Sequence, residues 1–278
     1  MIGSALTRYL TGEGHTIVRL VRREPEAGEV SWDPDAGTID AAGLEGFDGV
    51  VNMANMAWPA RWTPDAKKRL LANRLATNGL LAENLARCKQ KPGVLMCASG
   101  MGIYPSSGDQ VISEESPLGA DFLANLQRDG EDMAMRAGEA GMRVVNLRIP
   151  MVLGGAVLKR NIGRIGDGRQ WNSWVGRDEL ARIIHFVLTN ANIAGAVNPV
   201  SPHPLRNAEF AATFSRALGS KPGVPVPAFL LRLMVGEMAE ALILASRRIE
   251  PRKLLDAGYV FRFPTLAEAV RHEMKSLF

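Results

Sequence analysis

The chain has 278 residues, of which 46% are hydrophobic and 22% charged, and these values are ordinary for a globular protein. Two cysteines, Cys88 and Cys97, cannot form the disulfide framework of a small secreted protein. The sequence contains neither the apolar core of a signal peptide nor an apolar run long enough to cross a membrane. We therefore expect a cytoplasmic protein without a membrane partner. The net charge of +4 is carried by scattered arginines, which argues against nucleic acid as a partner and favours a small phosphorylated or carboxylated ligand.

The first segment predicts a short helix followed by a strand. Gly3 opens a helical stretch that has Leu6 and Leu10 on its apolar side, and the alternating run 17–21 predicts the strand. This is the second half of a strand-helix-strand nucleotide-binding unit, and the strand and glycine turn of its first half are absent from the sequence. That first strand lies in the middle of such a sheet, so its loss leaves neighbouring strands without a ladder partner. We therefore expect the natural chain to begin earlier.

The rest of the chain alternates between buried strands and amphipathic helices, which is typical of a doubly wound α/β fold with a parallel sheet. Near-continuous apolar runs predict strands at 48–54, 93–99, 142–149 and 195–200. Apolar periodicity predicts helices at 63–89, 122–137, 177–190 and from 207 onward. The first of these begins with a capping hydroxyl on Thr63, a proline at the first helical position and an early acid, Asp65.

Several motifs resemble those of the extended short-chain dehydrogenases/reductases. Residues 3–6, Gly-Ser-Ala-Leu, are similar to the end of their glycine turn, of which only the third glycine, Gly3, is present. Residues 55–63 and 168–175, the latter reading GRQWNSWV, resemble one NAD-dependent epimerase/dehydratase-like subgroup of uncharacterised proteins, and so does the C-terminal helical stretch. The resemblance covers essentially the whole chain. It implies a Rossmann-like fold and an undetermined oxidoreductase or epimerase activity.

The resemblance also implies a nicotinamide cofactor. An acid at the end of the second strand would bond the ribose hydroxyls, whereas arginine there accommodates a 2′-phosphate, so Arg22 and Arg23 favour NADP(H) over NAD(H). The alternative reading is two solvated arginines at a strand end. The residues that we expect to bind the cofactor are Gly3, Arg22, Arg23, Ala54, Asn55 and Ser99.

Ser99 is the candidate catalytic residue, because it falls on the family's serine that contacts the reacting carbonyl. The alternative is a serine that caps a strand-to-loop turn. The family's usual partner is a tyrosine followed four residues later by a lysine, which moves the substrate proton near neutral pH. The expected places hold Leu123 and Gln127 instead. A proton donor would then be Tyr104, an acid near 114–115, Asp121 or water.

Arginine and tryptophan side chains are the candidates for holding a small-molecule substrate, since they could stack on a ring and bind a phosphate, or instead lock two domains together. They are Arg61, Arg169, Trp171 and Trp174. No metal site is predicted, because the four histidines are far apart in the sequence and have no cysteine or paired histidine nearby.

Two domains are expected: a dinucleotide-binding domain at 1–150, to which 177–200 contribute, and a smaller, mostly helical substrate domain at 151–278. The favoured function is an NADP(H)-dependent oxidoreductase or epimerase that acts on a small, anionic or nucleotide-linked carbonyl or hydroxyl substrate. One alternative is a catalytically inactive, N-terminally truncated homologue that binds or senses the cofactor, and another is a structural or interaction protein.

Overall fold

The structure is a computed structural model that describes residues 2–159 and 162–275. Its strands are β1 (Arg19–Val21), β2 (Glu29–Asp33), β3 (Thr38–Ile39), β4 (Gly49–Asn52), β5 (Val94–Gly100), β6 (Val111–Ile112), β7 (Arg143–Ile149), β8 (Met151–Leu153), β9 (Gly163–Ile165), β10 (Trp171–Asn172), β11 (Trp174–Gly176), β12 (Gly195–Val197), β13 (Leu205–Arg206), β14 (Gly223–Val226) and β15 (Arg248–Ile249). Its α-helices are α1 (Ile2–Gly12), α2 (Pro64–Arg87), α3 (Phe122–Met135), α4 (Arg177–Thr189), α5 (Asn207–Ala217), α6 (Ala228–Val235), α7 (Arg252–Asp256) and α8 (Leu266–Lys275).

The central sheet has the strand order β12-β7-β5-β4, and every neighbouring pair in it is parallel. Its middle strands, β5 and β7, are apolar along most of their length and almost wholly buried, as expected for strands that are covered on both faces. Helices α1 and α4 pack together, as do α2 and α3. The predicted α/β Rossmann-like fold is therefore confirmed.

Each face of this sheet has its own apolar core. On one face, residues of α1 and α4 such as Leu10 and Ile184 pack against Met96 and Val145 of the sheet. On the other face, residues of α2 and α3 pack against the alternate sheet residues, among them Leu95. Successive side chains of a strand point to opposite faces, so adjacent residues of β5 serve different cores.

The sheet is interrupted between β1 and β4. Strand β1 pairs in parallel with β2, and β2 pairs in the antiparallel sense with β3, but no ladder joins β1 to β4 among the described residues. The two pieces still share both cores, because Leu20 and Val50 contact one cluster while Ile17 and Val51 contact the other. One edge of β4 and one edge of β1 thus lack a strand partner in the part of the chain that the structure describes.

The helix starts follow local chemistry. The Thr63 side chain accepts a hydrogen bond from the Ala66 amide at 3.2 Å and Pro64 occupies the first turn, as predicted for α2. Asp121 caps α3 in the same way, accepting from the Ala124 amide at 2.8 Å. These caps fix where both helices of one layer begin, and α3 carries residues that reach the end of β5.

A smaller core lies in the C-terminal part of the chain, where β11 pairs in parallel with β8 and α5 packs against α8. Its largest side chains are Trp174, Phe210 and Phe214. Helix α6 has no buried residue, and Phe229 and Leu233 on it are 69% and 70% exposed. The predicted domain boundaries, 1–150 with 177–200 and 151–278, stay predictions. None of the described helices combines the length and apolar character that a membrane crossing requires.

Candidate functional site

Ser99 lies near the carboxyl end of β5, directly opposite Arg148 in the parallel ladder with β7. Residues in register on parallel strands point to the same face, and α3 contacts both strands from that side. Helix α3 brings Gln127 and Glu131, one turn apart, to Ser99. The Ser99 hydroxyl donates to Glu131 Oε1 at 2.6 Å, and Gln127 Oε1 lies 3.5 Å from it.

Glu131 and Arg148 form a buried ion pair beneath Ser99. Arg148 Nε lies 3.0 Å from Glu131 Oε1 and Nη2 lies 2.9 Å from Oε2, a two-point contact between side chains that are both more than nine-tenths buried. Burial by itself lowers the pKa of Arg148, but the hydrogen bonds and charge of Glu131 outweigh it and the net pKa is raised. The guanidinium is therefore a permanent cation at the carboxyl edge of the sheet.

Tyr104, the predicted proton donor, is buried in the structure. Its side chain has no exposed surface; its hydroxyl donates to Asn198 Oδ1 at 2.9 Å and accepts from Arg148 Nη1 at 2.8 Å. Burial raises the pKa of this phenol and the nearby Arg148 charge offsets that only in part. Tyr104 therefore supports Arg148 from the interior and presents no atom to a substrate.

Two of the other proton donors considered from the sequence, Glu114 and Asp121, are also engaged, whereas Glu115 is exposed. Glu114 is buried and its Oε1 accepts from the Asn198 amide at 3.0 Å, while burial raises the pKa of its carboxyl group. Asp121 is the N-cap of α3. Leu123 is fully buried and Gln127 is nearly so, which leaves Ser99 as the half-buried polar side chain on this edge of β5.

The predicted cofactor-binding residues lie after the carboxyl ends of β1 and β4 and in the first turn of α1. Ala54 and Asn55 follow β4, and the Ala54 amide is held by Asn52 Oδ1 at 3.0 Å. Gly3 is exposed, and a Cβ built on it would meet no described atom within 4 Å. These positions and Ser99 belong to the edge of the sheet at which doubly wound folds bind ligands.

The two arginines after β1 differ in their contacts. Arg23 is committed to acids of its own loop, with Nη1 2.8 Å from Glu29 Oε2 and 3.6 Å from Glu26 Oε1. Arg22 has only a 3.8 Å contact with Asp35, and its guanidinium lies 5.8 Å from the centre of the Trp32 ring. Arg22 is thus the arginine that is available to an anionic ligand. The described residues fit a phosphorylated nucleotide at this end of the sheet.

The four predicted substrate residues do not form one cluster. The Arg61 guanidinium donates to the carbonyl oxygens of Leu233 and Met234 at 2.8 and 3.1 Å, which ties it to the C-terminal end of α6. Trp174 has no exposed surface and lies in the C-terminal core, its Nε1 donating to the His203 carbonyl. Trp174 therefore has no exposed face on which a substrate could stack.

Trp171 and Arg169 remain accessible. The Trp171 ring is half-buried and has the guanidinium groups of Arg206 and Arg248 at 4.3 and 4.7 Å from its centre. Its Nε1 donates to Asp109 Oδ1 at 3.1 Å, and Asp109 also pairs with Arg206. Arg169 is exposed next to this group. The cluster is a cationic, aromatic surface, and sequence reasoning missed its two additional arginines.

Sequence reasoning also missed Glu131 and Arg148. A signal was present, since Glu131 lies four residues after Gln127 and residues at that spacing share one face of a helix. Among the described residues, no group of three or more His, Cys, Asp or Glu side chains is placed to hold a metal ion.

Comparison with known proteins gives two family matches. The NAD dependent epimerase/dehydratase family matches residues 1–198, and a domain of unknown function, DUF1731, matches residues 226–273. Epimerase family protein ML0860 of Mycobacterium leprae is 34% identical over 98% of this chain and 92% of its own length.

Two solved structures are similar along the chain. Human epimerase family protein SDR39U1, crystallised with NADPH, has a TM-score of 0.88 at 31% identity and covers 99% of this chain and 96% of its own. A nucleoside-diphosphate sugar epimerase of Corynebacterium glutamicum has a TM-score of 0.82 at 30% identity, covering 99% of this chain and 56% of its own.

Proposed function

Because the chain belongs to the NAD dependent epimerase/dehydratase family, we propose that it is an NADP(H)-dependent oxidoreductase or epimerase. Its substrate would be a small, anionic or nucleotide-linked molecule that carries a carbonyl or hydroxyl group. The observation that carries the proposal is the position of Ser99, a half-buried hydroxyl at the carboxyl edge of β5 that rests on a buried Glu131–Arg148 ion pair.

Two observations support NADP(H) as the cofactor. Arg22 follows β1 and has only a distant acidic neighbour, so it can meet the 2′-phosphate that distinguishes NADP(H) from NAD(H). The human relative was crystallised with NADPH at 31% identity to this chain. Arg22, Gly3 in the first turn of α1, Ala54 and Asn55 would hold the cofactor, which would exchange a hydride with the substrate carbon.

The chain's own residues would bind and orient the substrate. Ser99 would hydrogen-bond the oxygen on the reacting carbon, since its hydroxyl lies at the end of β5. Arg169 and the edge of Trp171 would hold the distal, anionic part, helped by the charge of Arg206, whose guanidinium lies over the ring. The sugar-nucleotide epimerase of Corynebacterium glutamicum, 30% identical to this chain, supports a nucleotide-linked substrate.

Fluorescence titration of NADPH and NADH tests the cofactor assignment. NADPH should bind more tightly than NADH, and Arg22→Ala should weaken NADPH about tenfold or more, because a charged hydrogen bond contributes roughly 1.5–3 kcal/mol. Arg23→Ala is the matched control, since Arg23 is already paired within its own loop. Equal affinities for the two cofactors, or equal losses in both variants, would contradict the role of Arg22.

A panel of sugar nucleotides and small carbonyl compounds tests turnover. The absorbance of NADPH follows oxidation or reduction, and chromatography of the products follows epimerisation, which returns the hydride and leaves the amount of NADPH unchanged. Ser99→Ala should abolish the activity while leaving NADPH binding within about twofold of the wild type, because the cofactor is held chiefly elsewhere. Unchanged activity in Ser99→Ala would refute the catalytic assignment.

The second candidate is a protein that binds or senses the cofactor without turnover. It is favoured by Leu123 and Gln127, both buried at the places of the Tyr/Lys pair, and by the burial of Tyr104. NADPH binding without turnover on any substrate of the panel would support this candidate. No binding of either cofactor would favour a structural or interaction role.

A further inference from the structure

The Ser99 hydroxyl has a single hydrogen, and the structure indicates where it goes. Glu131 Oε1 lies 2.6 Å from Ser99 Oγ, whereas Gln127 Oε1 lies 3.5 Å away, at the limit of a hydrogen bond. An ionised carboxylate can only accept hydrogen bonds, so the Ser99 hydroxyl must donate to it. The hydrogen therefore points inward, and the free lone pairs of Oγ are left for other partners.

Arg148 holds Glu131 in this role. The carboxylate receives two N–H groups from Arg148 in addition to the Ser99 hydroxyl, and three donors around one carboxyl group fit its ionised form. Arg148 is itself held on its far side by the Tyr104 hydroxyl and the Glu114 carbonyl oxygen, 2.8 and 3.2 Å from Nη1. Both charged side chains are almost wholly buried, so neither can rotate away without leaving the other unpaired.

We propose that Glu131 is a positioning residue that makes Ser99 a hydrogen-bond acceptor towards the site, so that Ser99 receives the hydrogen of a substrate hydroxyl instead of donating to a substrate carbonyl. The substrate class is then a hydroxyl-bearing compound, bound more tightly than its carbonyl partner. This proposal rests on the proposed function for the contact between Ser99 and the substrate, but the coupling of Ser99 to Glu131 can be tested without any turnover.

The test introduces a thiol at position 99 and measures its ionisation. In Ser99→Cys, a carboxylate next to the sulfur should raise the pKa of the introduced thiol, and Glu131→Gln in the same protein should lower that pKa by about 1 unit or more. Asp132→Asn is the matched control, because Asp132 is the next residue of α3 and is exposed. The pKa is obtained from the rate of iodoacetamide alkylation against pH, followed by mass spectrometry.

The native cysteines leave this measurement clear. Cys88 and Cys97 are both buried. Burial raises the pKa of the Cys88 thiol, and it raises the pKa of Cys97 to about 12, so both alkylate slowly. Wild-type protein gives their background rate. A thiol pKa that changes no more in Glu131→Gln than in Asp132→Asn would overturn the proposal.

Glu131→Gln leaves Arg148 buried without its carboxylate and can unfold the protein. The double replacement Glu131→Gln/Arg148→Met removes both charges, and in this folded protein the thiol pKa should still fall, but by less than in the single variant because the neighbouring cation is lost as well. With a substrate from the panel, Glu131→Gln should raise the KM of the hydroxyl form about tenfold and lower that of the carbonyl form, because the glutamine amide can donate to Ser99 and free its hydrogen. The KM for NADPH should not change, and Glu131→Asp should restore part of the preference.

The outcomes separate the two proposals. A shifted thiol pKa without turnover sustains the coupling and rejects the enzymatic function. Turnover that depends on Ser99, with no shift in the thiol pKa and no change of preference in Glu131→Gln, sustains the function and rejects the positioning role.

Discussion

Replacing Glu179 with alanine is predicted to loosen the C-terminal segment 259–263 from helix α4. Glu179 is buried in the first turn of α4, and its Oε1 accepts the Tyr259 hydroxyl at 2.5 Å. Its Oε2 accepts the backbone amides of Arg262 and Phe263 at 2.9 and 2.8 Å. One carboxylate thus receives three donors from a segment that packs over α4, and alanine leaves all three without their acceptor.

The magnitude follows from these contacts. A hydrogen bond to a charged group contributes roughly 1.5–3 kcal/mol, and bonds that share one carboxylate are not additive, so we expect Glu179→Ala to lower the free energy of unfolding by about 3–5 kcal/mol. That corresponds to a fall in Tm of roughly 5–15 °C for a chain of this size. Glu179→Gln keeps one acceptor oxygen and should cost about half as much. Tyr259→Phe removes a single donor and should cost about 1–2 kcal/mol.

Thermal unfolding by circular dichroism and urea titration measure these changes. Glu83→Ala is the control, because Glu83 is exposed on α2, and it should stay within about 0.5 kcal/mol of the wild type. The reasoning would be refuted if Glu179→Ala lost less than about 1 kcal/mol. It would also be refuted if Glu179→Gln and Glu179→Ala lost the same amount, since the loss would then not depend on acceptor oxygens.

Three further predictions concern other parts of the chain. In hydrogen exchange, the amides of β5 and β7 should be protected to the limit of global unfolding. The β4 amides that do not pair with β5 should exchange much faster. Equal protection would show that β4 has a partner on its other side. Burial, followed by the charge of His15, whose Nε2 lies 2.9 Å away, lowers the pKa of His185. As the pH falls, the unfolded chain therefore binds a proton at this residue before the folded chain does. The neutral His185 should thus stabilise the fold above about pH 6.5, and this stabilisation should be lost as the pH falls below that value. His185→Gln should flatten that part of the curve of Tm against pH, and a curve identical to the wild type would contradict the assignment. Arg61→Ala should speed proteolysis around α6 with a fall in Tm below about 3 °C, whereas Arg69→Ala, on the exposed side of α2, should leave the cleavage rate unchanged.

The fold could be predicted because its signals are local. The apolar run at 93–99 allows only a strand that is covered on both faces, and it is β5. Thr63 and Pro64 mark the start of α2 through backbone bonds made within one turn.

The side-chain roles could not be read in the same way, because they depend on which face of an element turns inward. Trp171 and Trp174 lie three residues apart in one motif, yet one is accessible and the other has no exposed surface. Tyr104 follows Ser99 closely in the sequence, but a short 3₁₀ turn at Met101–Ile103 carries it into the interior. Arg61 was a plausible ligand-binding arginine until helix α6, 172 residues further along, supplied carbonyl oxygens for it.

The ion pair beneath Ser99 is best explained by orientation. Burying Glu131 and Arg148 costs several kcal/mol of desolvation for each charge, and two apolar side chains of similar volume commonly give equal or greater stability at such a place. What an apolar pair cannot do is fix the direction of the Ser99 hydrogen, because only the carboxylate accepts it at 2.6 Å. Gln127, at the place expected for the lysine, is neutral, and the cation belongs to Arg148 on β7, the strand next to β5. In a chain with Leu123 and Gln127 at the places of the tyrosine and lysine, the proposed control of the substrate oxygen runs from Arg148 on β7 through Glu131 on α3 to Ser99 on β5.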